Sequence, residues 1–118
     1  MDRLEFENKF RAASTKLDQK YEDEVLINSL SPESKDKFKG FTNLIIVNEE
    51  FSECQHEVSK YLRGKGDFTS LVEETADALI SIRYIQLICG ISDYDLNKAV
   101  NVKLDRQNKR NLKKGDIR

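Results

Sequence analysis

The clearest pattern in the chain is a helical stripe of apolar residues near its middle. Apolar side chains recur there at spacings of three and four, at Leu44, Val47, Phe51, Cys54, Val58 and Tyr61. This spacing places them on one face of an α-helix, in the manner of a coiled-coil seam. The pattern predicts a long helix over about 42–63 that packs against another helix along this face.

A second long helix is predicted over about 68–89, and its apolar residues lie on nearly every side. They include Phe68, Leu71, Val72, Leu79, Ile80, Ile82, Ile85, Leu87 and Ile88. A helix that is apolar all round is normally covered on several sides. We therefore expect this helix in the middle of a bundle or at a subunit interface.

Residues that start and stop helices divide the remainder of the chain. Ser31-Pro32 is typical of an N-cap followed by proline at the first helical position, and Gly40 of a helix end, so a short helix is predicted over about 32–39. Asp67 is a candidate N-cap after the Gly64–Gly66 loop. Gly90 and Ser92 are typical of the end of one helix and the start of the next.

The sequence thus predicts an all-α chain of about four main helices. The first covers about 3–29, either continuous or broken, and the last covers about 93–111. The 118 residues fit one domain, in which 1–40 form an N-terminal helical extension, 41–111 a helical core and 112–118 a basic tail.

Composition excludes several classes of function. The net charge is −1, which is not that of a generally basic nucleic-acid binder. Charge-free runs do not exceed nine residues, too few for a membrane-spanning helix. Two cysteines and one histidine are too few for a disulfide scaffold or a zinc site. We expect a cytoplasmic protein that binds neither a nucleic-acid polymer nor a membrane.

The charge is unevenly distributed along the chain. Residues 1–97 hold 12 Lys and Arg against 19 Asp and Glu, whereas residues 98–118 hold 8 against 2. The basic end has two interpretations. It is either a solvated helix end that complements the helix dipole, or a phosphate-binding surface opposite an acidic site.

Two pairs of acidic residues are candidates for that acidic site. Glu50 and Glu53 are three residues apart on one predicted helix, and Glu74 and Asp77 are three apart on the next. Each pair projects from a single helix face, so four carboxylates can converge across the hairpin. Such a cluster repels itself without a cation, but suits Mg²⁺, which prefers oxygen ligands. A purely solvated acidic face is the alternative.

The acidic residues also form a recognisable motif. Glu49-Glu50-Phe51-Ser52-Glu53, then a gap of 20 residues, then Glu74-Thr75-Ala76-Asp77 resembles the EExxE…ExxD signature of the MazG-like all-α nucleoside triphosphate pyrophosphohydrolases. The stretch 73–80 is similar to the EELADVLI segment of that family, and 90–103 to its following helix. The resemblance covers about residues 42–110.

This resemblance implies a fold and an activity. The fold would be a MazG-like helical bundle whose core is completed by homodimerisation, or by the pairing of dimers into a homotetramer. The reaction would be the hydrolysis of a nucleoside or deoxynucleoside triphosphate to the monophosphate and pyrophosphate, for the cleaning of nucleotide pools. Mg²⁺ would be the cofactor, with Mn²⁺ as a possible substitute, and its ligands would be Glu50, Glu53, Glu74 and Asp77.

The resemblance also suggests roles for further residues. Glu53 and Glu49 are the candidates for the catalytic carboxylate that accepts the proton of the attacking water. Lys103, Arg110 and Lys60 are the candidates for binding the phosphates. Two rival functions remain: a phosphoribosyl-ATP pyrophosphohydrolase, and a non-catalytic helical module that forms homo-oligomers.

Overall fold

The computed structural model describes residues 3–33 and 37–115, which form helices and no β-strand. The helices in these ranges are α1 (Arg3–Lys9), α2 (Gln19–Asn28), α3 (Phe41–Leu62), α4 (Phe68–Cys89) and α5 (Asp93–Gly115). The prediction of an all-α chain is confirmed for this part of the protein. None of these helices combines the length and the apolar character needed to cross a membrane.

The N-terminal segment is broken into two helices rather than one. Residues 10–18 between α1 and α2 are turns and irregular chain. Ser14 Oγ accepts a hydrogen bond from the Lys16 amide at 3.2 Å. Asp18 caps α2 by accepting a hydrogen bond from the Tyr21 amide at 3.1 Å. Short polar side chains bind backbone groups in this way outside helices, which favours a break over a continuous helix.

The helix predicted over 32–39 is wrong in the described residues, which are 32–33 and 37–39. The Ser31 backbone amide donates to the side-chain oxygen of Asn43 at 2.8 Å, and Nδ2 of the Asn43 side chain donates to the Ser29 carbonyl at 3.1 Å. The Gly40 amide donates to the Ser31 carbonyl at 3.0 Å. These bonds hold Ser29 and Ser31 close to the start of α3, and Pro32 itself is not helical.

Helices α3 and α4 form an antiparallel hairpin with defined caps at its ends. Gly40 precedes α3 with a φ of 86°, so it starts this helix instead of ending an earlier one. Asp67 caps α4 as predicted, accepting a hydrogen bond from the Ser70 amide at 3.0 Å. Gly90 ends α4 with a φ of 73°, the left-handed conformation in which glycine is favoured. The bounds of α4 match the prediction.

Helix α4 lies at the centre of the described structure, as its apolar surface predicts. It packs against α3 along its length and also contacts α1 and α2. The rings of Phe6 in α1 and Phe68 in α4 are 5.4 Å apart, and Lys9 pairs with Glu73 beside them. The predicted seam of α3 is only partly covered, since Val47 is buried while Val58 and Tyr61 are exposed.

A single arginine connects three helices at the far end of α4. Arg83 binds both carboxylate oxygens of Asp23 in α2, at 2.7 and 2.8 Å, and Asp93 at the start of α5, at 2.8 Å. Gln86 also donates to Asp93, at 2.9 Å. Arg83 is the first cause of the lowered pKa of Asp23, and Asp23 is the first cause of the raised pKa of Arg83. This junction therefore fixes the positions of α2 and of the start of α5 relative to α4.

Replacing Arg83 by Met is expected to lower the melting temperature by about 5 °C, because Asp23 and Asp93 lose their shared charged donor. The pKa of Asp23 is lowered by folding, so its stabilising effect is present above the ordinary carboxyl pKa and is lost as pH falls below it. Thermal melts between pH 3 and 7 should show a weaker acid dependence in the variant. The melting temperature of an Arg83→Lys control should lie between those of the wild type and Arg83→Met. An unchanged melting temperature in Arg83→Met would contradict the stabilising role of Arg83.

The isolated chain leaves much apolar surface uncovered. Its accessible area is 9513 Å², whereas a monomeric protein of this mass exposes about 6,600 Å². Its radius of gyration is 18.0 Å, against about 13.5 Å for a compact domain of this length. Among the described residues, the hydrophobic side chains that are fully buried are those of Leu26 and Val47. A single copy therefore builds only a small core.

Candidate metal centre

The hairpin of α3 and α4 brings the predicted acidic pair of α4 close to Glu50 of the pair on α3. The helices are antiparallel because a short loop over 63–67 connects them and the start of α3 at Gly40 lies against Ile88 near the end of α4. Glu50 on α3 is then level with Asp77 on α4. The i,i+3 spacing on each helix turns the acidic side chains toward the same part of the seam.

Three of the four predicted ligands converge. One carboxylate oxygen from each of Glu50, Glu74 and Asp77 lies within 4.8 Å of the other two. Glu50 and Glu74 are half-buried between the helices. Glu53 is exposed and is not one of these three, although its charge raises the pKa of both Glu50 and Glu74. The structure therefore brings together Glu50, Glu74 and Asp77 and leaves Glu53 at the edge.

The electrostatics of the cluster are unfavourable for the free carboxylates. Burial is the first cause of the raised pKa of Glu50, followed by the charges of Asp77, Glu53 and Glu74. Burial is likewise the first cause of the raised pKa of Glu74, followed by the charges of Glu53 and Asp77. One oxygen of Glu50 and one of Glu74, Oε2 in each, are buried without a hydrogen-bond donor. Buried carboxylate oxygens normally have a donor or a cation as partner.

This donor set fits a hard divalent cation. Mg²⁺ is held in proteins by a few carboxylates and keeps several waters for contact with phosphates. The unpartnered oxygens of Glu50 and Glu74 are the atoms that such a cation would satisfy, together with the nearby oxygen of Asp77. Exposed acidic groups are also common in proteins without any ion, so the cluster alone does not identify the cation.

The structure places the other predicted site residues at varying distances from this cluster. Glu49 is exposed on α3, next to Glu50 in sequence. Lys60 is half-buried near the end of α3, where its Nζ atom lies 3.6 Å from Glu57. Lys103 and Arg110 are exposed on α5, and no hydrogen bond or ion pair joins them to α3 or α4 in the described structure.

Two residues near the cluster were not predicted from the sequence. Glu57 is only 8% exposed, its Oε1 atom has no donor, and it contributes to the raised pKa of Glu74. Its position seven residues after Glu50 places it two turns further along the same face, a spacing that could have identified it. Lys9, which pairs with Glu73, has no sequence signal because α1 reaches α4 only through tertiary packing.

Comparison of the chain with protein-family models, with curated proteins and with solved structures finds no match in any of the three. The resemblance to the MazG-like pyrophosphohydrolases therefore stays a prediction.

Adding Mg²⁺ is expected to raise the melting temperature. A ligand at a hundredfold excess over its Kd stabilises the folded state by about 2.7 kcal/mol, which corresponds to roughly 10 °C for a chain of this size. The measurement is a thermal melt with and without Mg²⁺, at constant ionic strength. In Asp77→Asn the shift should largely disappear, whereas Glu24→Gln, which removes an exposed carboxylate of α2, should keep it. Equal shifts in both variants would contradict a metal site at the cluster.

Proposed function

We propose that this protein is a Mg²⁺-dependent nucleoside triphosphate pyrophosphohydrolase, which converts a nucleoside or deoxynucleoside triphosphate to the monophosphate and pyrophosphate. The observation that carries the proposal is the convergence of Glu50, Glu74 and Asp77 across the hairpin, with buried oxygens that lack partners. The EExxE…ExxD resemblance also supports it, since the same three residues belong to that motif.

The proposal assigns distinct roles to the acidic residues. Glu50, Glu74 and Asp77 hold the cation, for which Mn²⁺ is a possible substitute, and Glu53 joins them from the edge of the cluster. A bound Mg²⁺ supplies neutralisation of phosphate charge at such a site. Glu53 is exposed, so it is accessible to a water molecule and is our first candidate for the general base. Glu49 is the second candidate.

Phosphate binding requires cations that the cluster itself does not contain. Lys60 is the candidate nearest in sequence, but Glu57 already lies 3.6 Å from its ammonium group. Lys103 and Arg110 have no acidic partner from another helix in the described structure, so they are available for phosphate. We assign them the binding of the triphosphate, as Arg and Lys clamps do in phosphoryl transfer.

The proposal includes assembly into a homodimer or a homotetramer. The accessible area of a single copy supports this, because it exceeds the area expected for a monomer by about 2,900 Å². The biological role would be the removal of non-standard or surplus nucleotides from the cytoplasmic pool.

The function is tested by incubating the protein with the common ribo- and deoxyribonucleoside triphosphates and Mg²⁺. Pyrophosphate and orthophosphate are measured separately, and the nucleotide product is identified. Release of pyrophosphate with the monophosphate is the expected result. Orthophosphate with the diphosphate would contradict the proposed reaction, because the bond broken would be the terminal one. Turnover of phosphoribosyl-ATP alone would favour that rival substrate, and no turnover at all would favour the non-catalytic module.

A further inference from the structure

Helix α5 leaves the rest of the chain soon after it begins. Leu96 is half-buried, but every side chain from Asn97 to Lys114 is exposed. In the described structure the polar contacts of this stretch stay within the helix, such as Lys109 with Asp105 at 3.1 Å. The stretch extends over about 27 Å at the rise of an α-helix. A long exposed helix therefore lies beyond the end of α4.

The cations of this stretch lie on one side of the helix. Successive residues of an α-helix are rotated by about 100°, which places every lysine and arginine of residues 97–114 within an arc of about 160°. The acid of the stretch, Asp105, lies beside the edge of that arc. The cations form two rows: one, the basic row, contains Lys98, Arg106, Lys109 and Lys113, and the other contains Lys103, Arg110 and Lys114.

The opposite side of the helix carries amides and no continuous apolar surface. Its apolar side chains alternate with amide side chains around the helix. The amides are Asn97, Asn101, Gln107, Asn108 and Asn111, and the apolar residues are Val100, Leu104 and Leu112. A basic helix that lies on a membrane buries an apolar face among the lipids. This distribution therefore does not favour a lipid surface as the partner.

The basic row has no role in the proposed function, and its charges match a line of phosphates. Its members extend over about 22 Å along the helix. Phosphates follow one another at about 3.4 Å along each strand of duplex DNA. Lysines and arginines that are clustered along one helix are typical of proteins that bind nucleic acids.

The net charge of −1 predicts no affinity for a nucleic-acid polymer, but it is an average over a segregated chain. Residues 1–97 carry a net charge of −7, whereas residues 98–118 carry +6. Salt at physiological concentration screens exposed charges beyond about 8 Å. A helix that extends away from the acidic residues therefore has a local charge opposite to theirs.

The composition and shape of the helix favour double-stranded DNA over other nucleic acids. The stretch 97–114 contains no aromatic residue, whereas proteins that bind single strands stack the bases on aromatic side chains. The major groove of B-form DNA is about 12 Å wide and admits an α-helix. The major groove of duplex RNA is too narrow for this.

We propose that the basic row of α5 is a second phosphate-binding surface, which binds the backbone of double-stranded DNA independently of its sequence. The binding requires neither a metal ion nor a triphosphate at the carboxylate cluster, so it does not rest on the proposed function. The acidic remainder of the chain repels DNA. The expected Kd is therefore that of non-specific binding, about 10 µM at physiological salt.

The binding is tested with a short fluorescently labelled DNA duplex, whose anisotropy is measured as protein is added at several salt concentrations. Four phosphate contacts predict a slope of about −3.5 for the logarithm of the binding constant against that of the salt concentration. The triple variant Arg106→Gln, Lys109→Gln and Lys113→Gln should reduce the slope to about −1 and weaken binding by at least about 10-fold. A wild type that does not bind at low salt, or a helical triple variant of unchanged affinity, would overturn the proposal.

A matched control removes three cations from other parts of the chain. Lys20, Lys39 and Lys65 are exposed and lie outside α5, so their joint replacement by Gln changes the net charge by the same amount. This control should bind the duplex within about twofold of the wild-type affinity, because screening limits the effect of distant charges. Equal losses in the two triple variants would show that only the total charge matters and would overturn the basic row.

Further probes identify the partner and separate this inference from the proposed function. Unlabelled duplex should compete better than a single strand of the same length or polyglutamate, and vesicles containing phosphatidylserine should not sediment the protein. Equal competition by polyglutamate, or binding to vesicles and not to DNA, would overturn the proposal. The triple variant should keep the wild-type rate of pyrophosphate release, because it retains Lys103 and Arg110. A wild type that releases no pyrophosphate but binds the duplex would refute the proposed function and support the basic row.

Discussion

Replacing Glu50 by Gln is expected to lower pyrophosphate release by at least about 100-fold. Even residues that only orient metal ligands cost 10- to 100-fold when they are changed, and Glu50 is proposed to be a ligand itself. The substitution keeps the size of the side chain but removes its charge. The measurement is the steady-state rate at saturating Mg²⁺ and triphosphate, with Glu24→Gln as the control that keeps the wild-type rate.

The same variant should be at least as stable as the wild type when no metal is present. Burial and the charges of Asp77, Glu53 and Glu74 all raise the pKa of Glu50, so its ionised form is unfavourable in the folded chain. A neutral amide removes this repulsion. A variant that loses activity because it unfolds would instead show a lowered melting temperature, and full activity in a folded Glu50→Gln would refute the site.

Replacing Gly40 by Ala is expected to lower the free energy of unfolding by about 3 kcal/mol. The φ of Gly40 is 86°, a conformation that costs an L-residue about 1–2 kcal/mol. A Cβ atom there would also lie 2.9 Å from Cγ1 and 3.0 Å from Cδ1 of Ile88, and overpacking of this kind costs about 1–3 kcal/mol. The measurement is urea denaturation followed by circular dichroism.

Gly64 provides a matched control for this substitution. Its φ is 72°, but a Cβ atom there would meet nothing within 4 Å. Gly64→Ala should therefore show the backbone cost alone, about 1 kcal/mol. In a double-mutant cycle, Gly40→Ala should cost less in an Ile88→Ala background than in the wild type, because the close contact is then removed. Equal losses in Gly40→Ala and Gly64→Ala would show that the contact with Ile88 is unimportant.

The long helices and their caps could be predicted because their signals are local. The apolar spacing of α3, the apolar surface of α4 and the cap at Asp67 depend on residues a few positions apart, so helix periodicity is sufficient to identify them. The same periodicity placed Glu50 beside Glu53 and Glu74 beside Asp77. The sequence motif thus predicted four ligands, of which Glu50, Glu74 and Asp77 converge in the structure.

Local signals were misleading where a distant contact competes with them. Pro32 and Gly40 are typical of the start and end of a helix, but Asn43 binds the backbone at Ser29 and Ser31 and holds that segment against α3. The burial of Glu57 and the pairing of Lys9 with Glu73 likewise arise only when helices pack. These contacts join residues 12 to 64 positions apart, so no window of neighbouring residues contains them.

The sequence by itself determined that the described chain is helical and where its two long central helices run, because both follow from spacing along single helices. It also predicted Glu50, Glu53, Glu74 and Asp77 as candidate ligands from the order of the acidic motif. Only the tertiary structure decided that Glu53 lies at the edge of the cluster, that Arg83 joins α2, α4 and α5, and that α5 leaves the other helices. These features depend on the relative positions of helices, which are set by the packing of side chains from distant segments. The periodicity of a single helix carries no information about that packing.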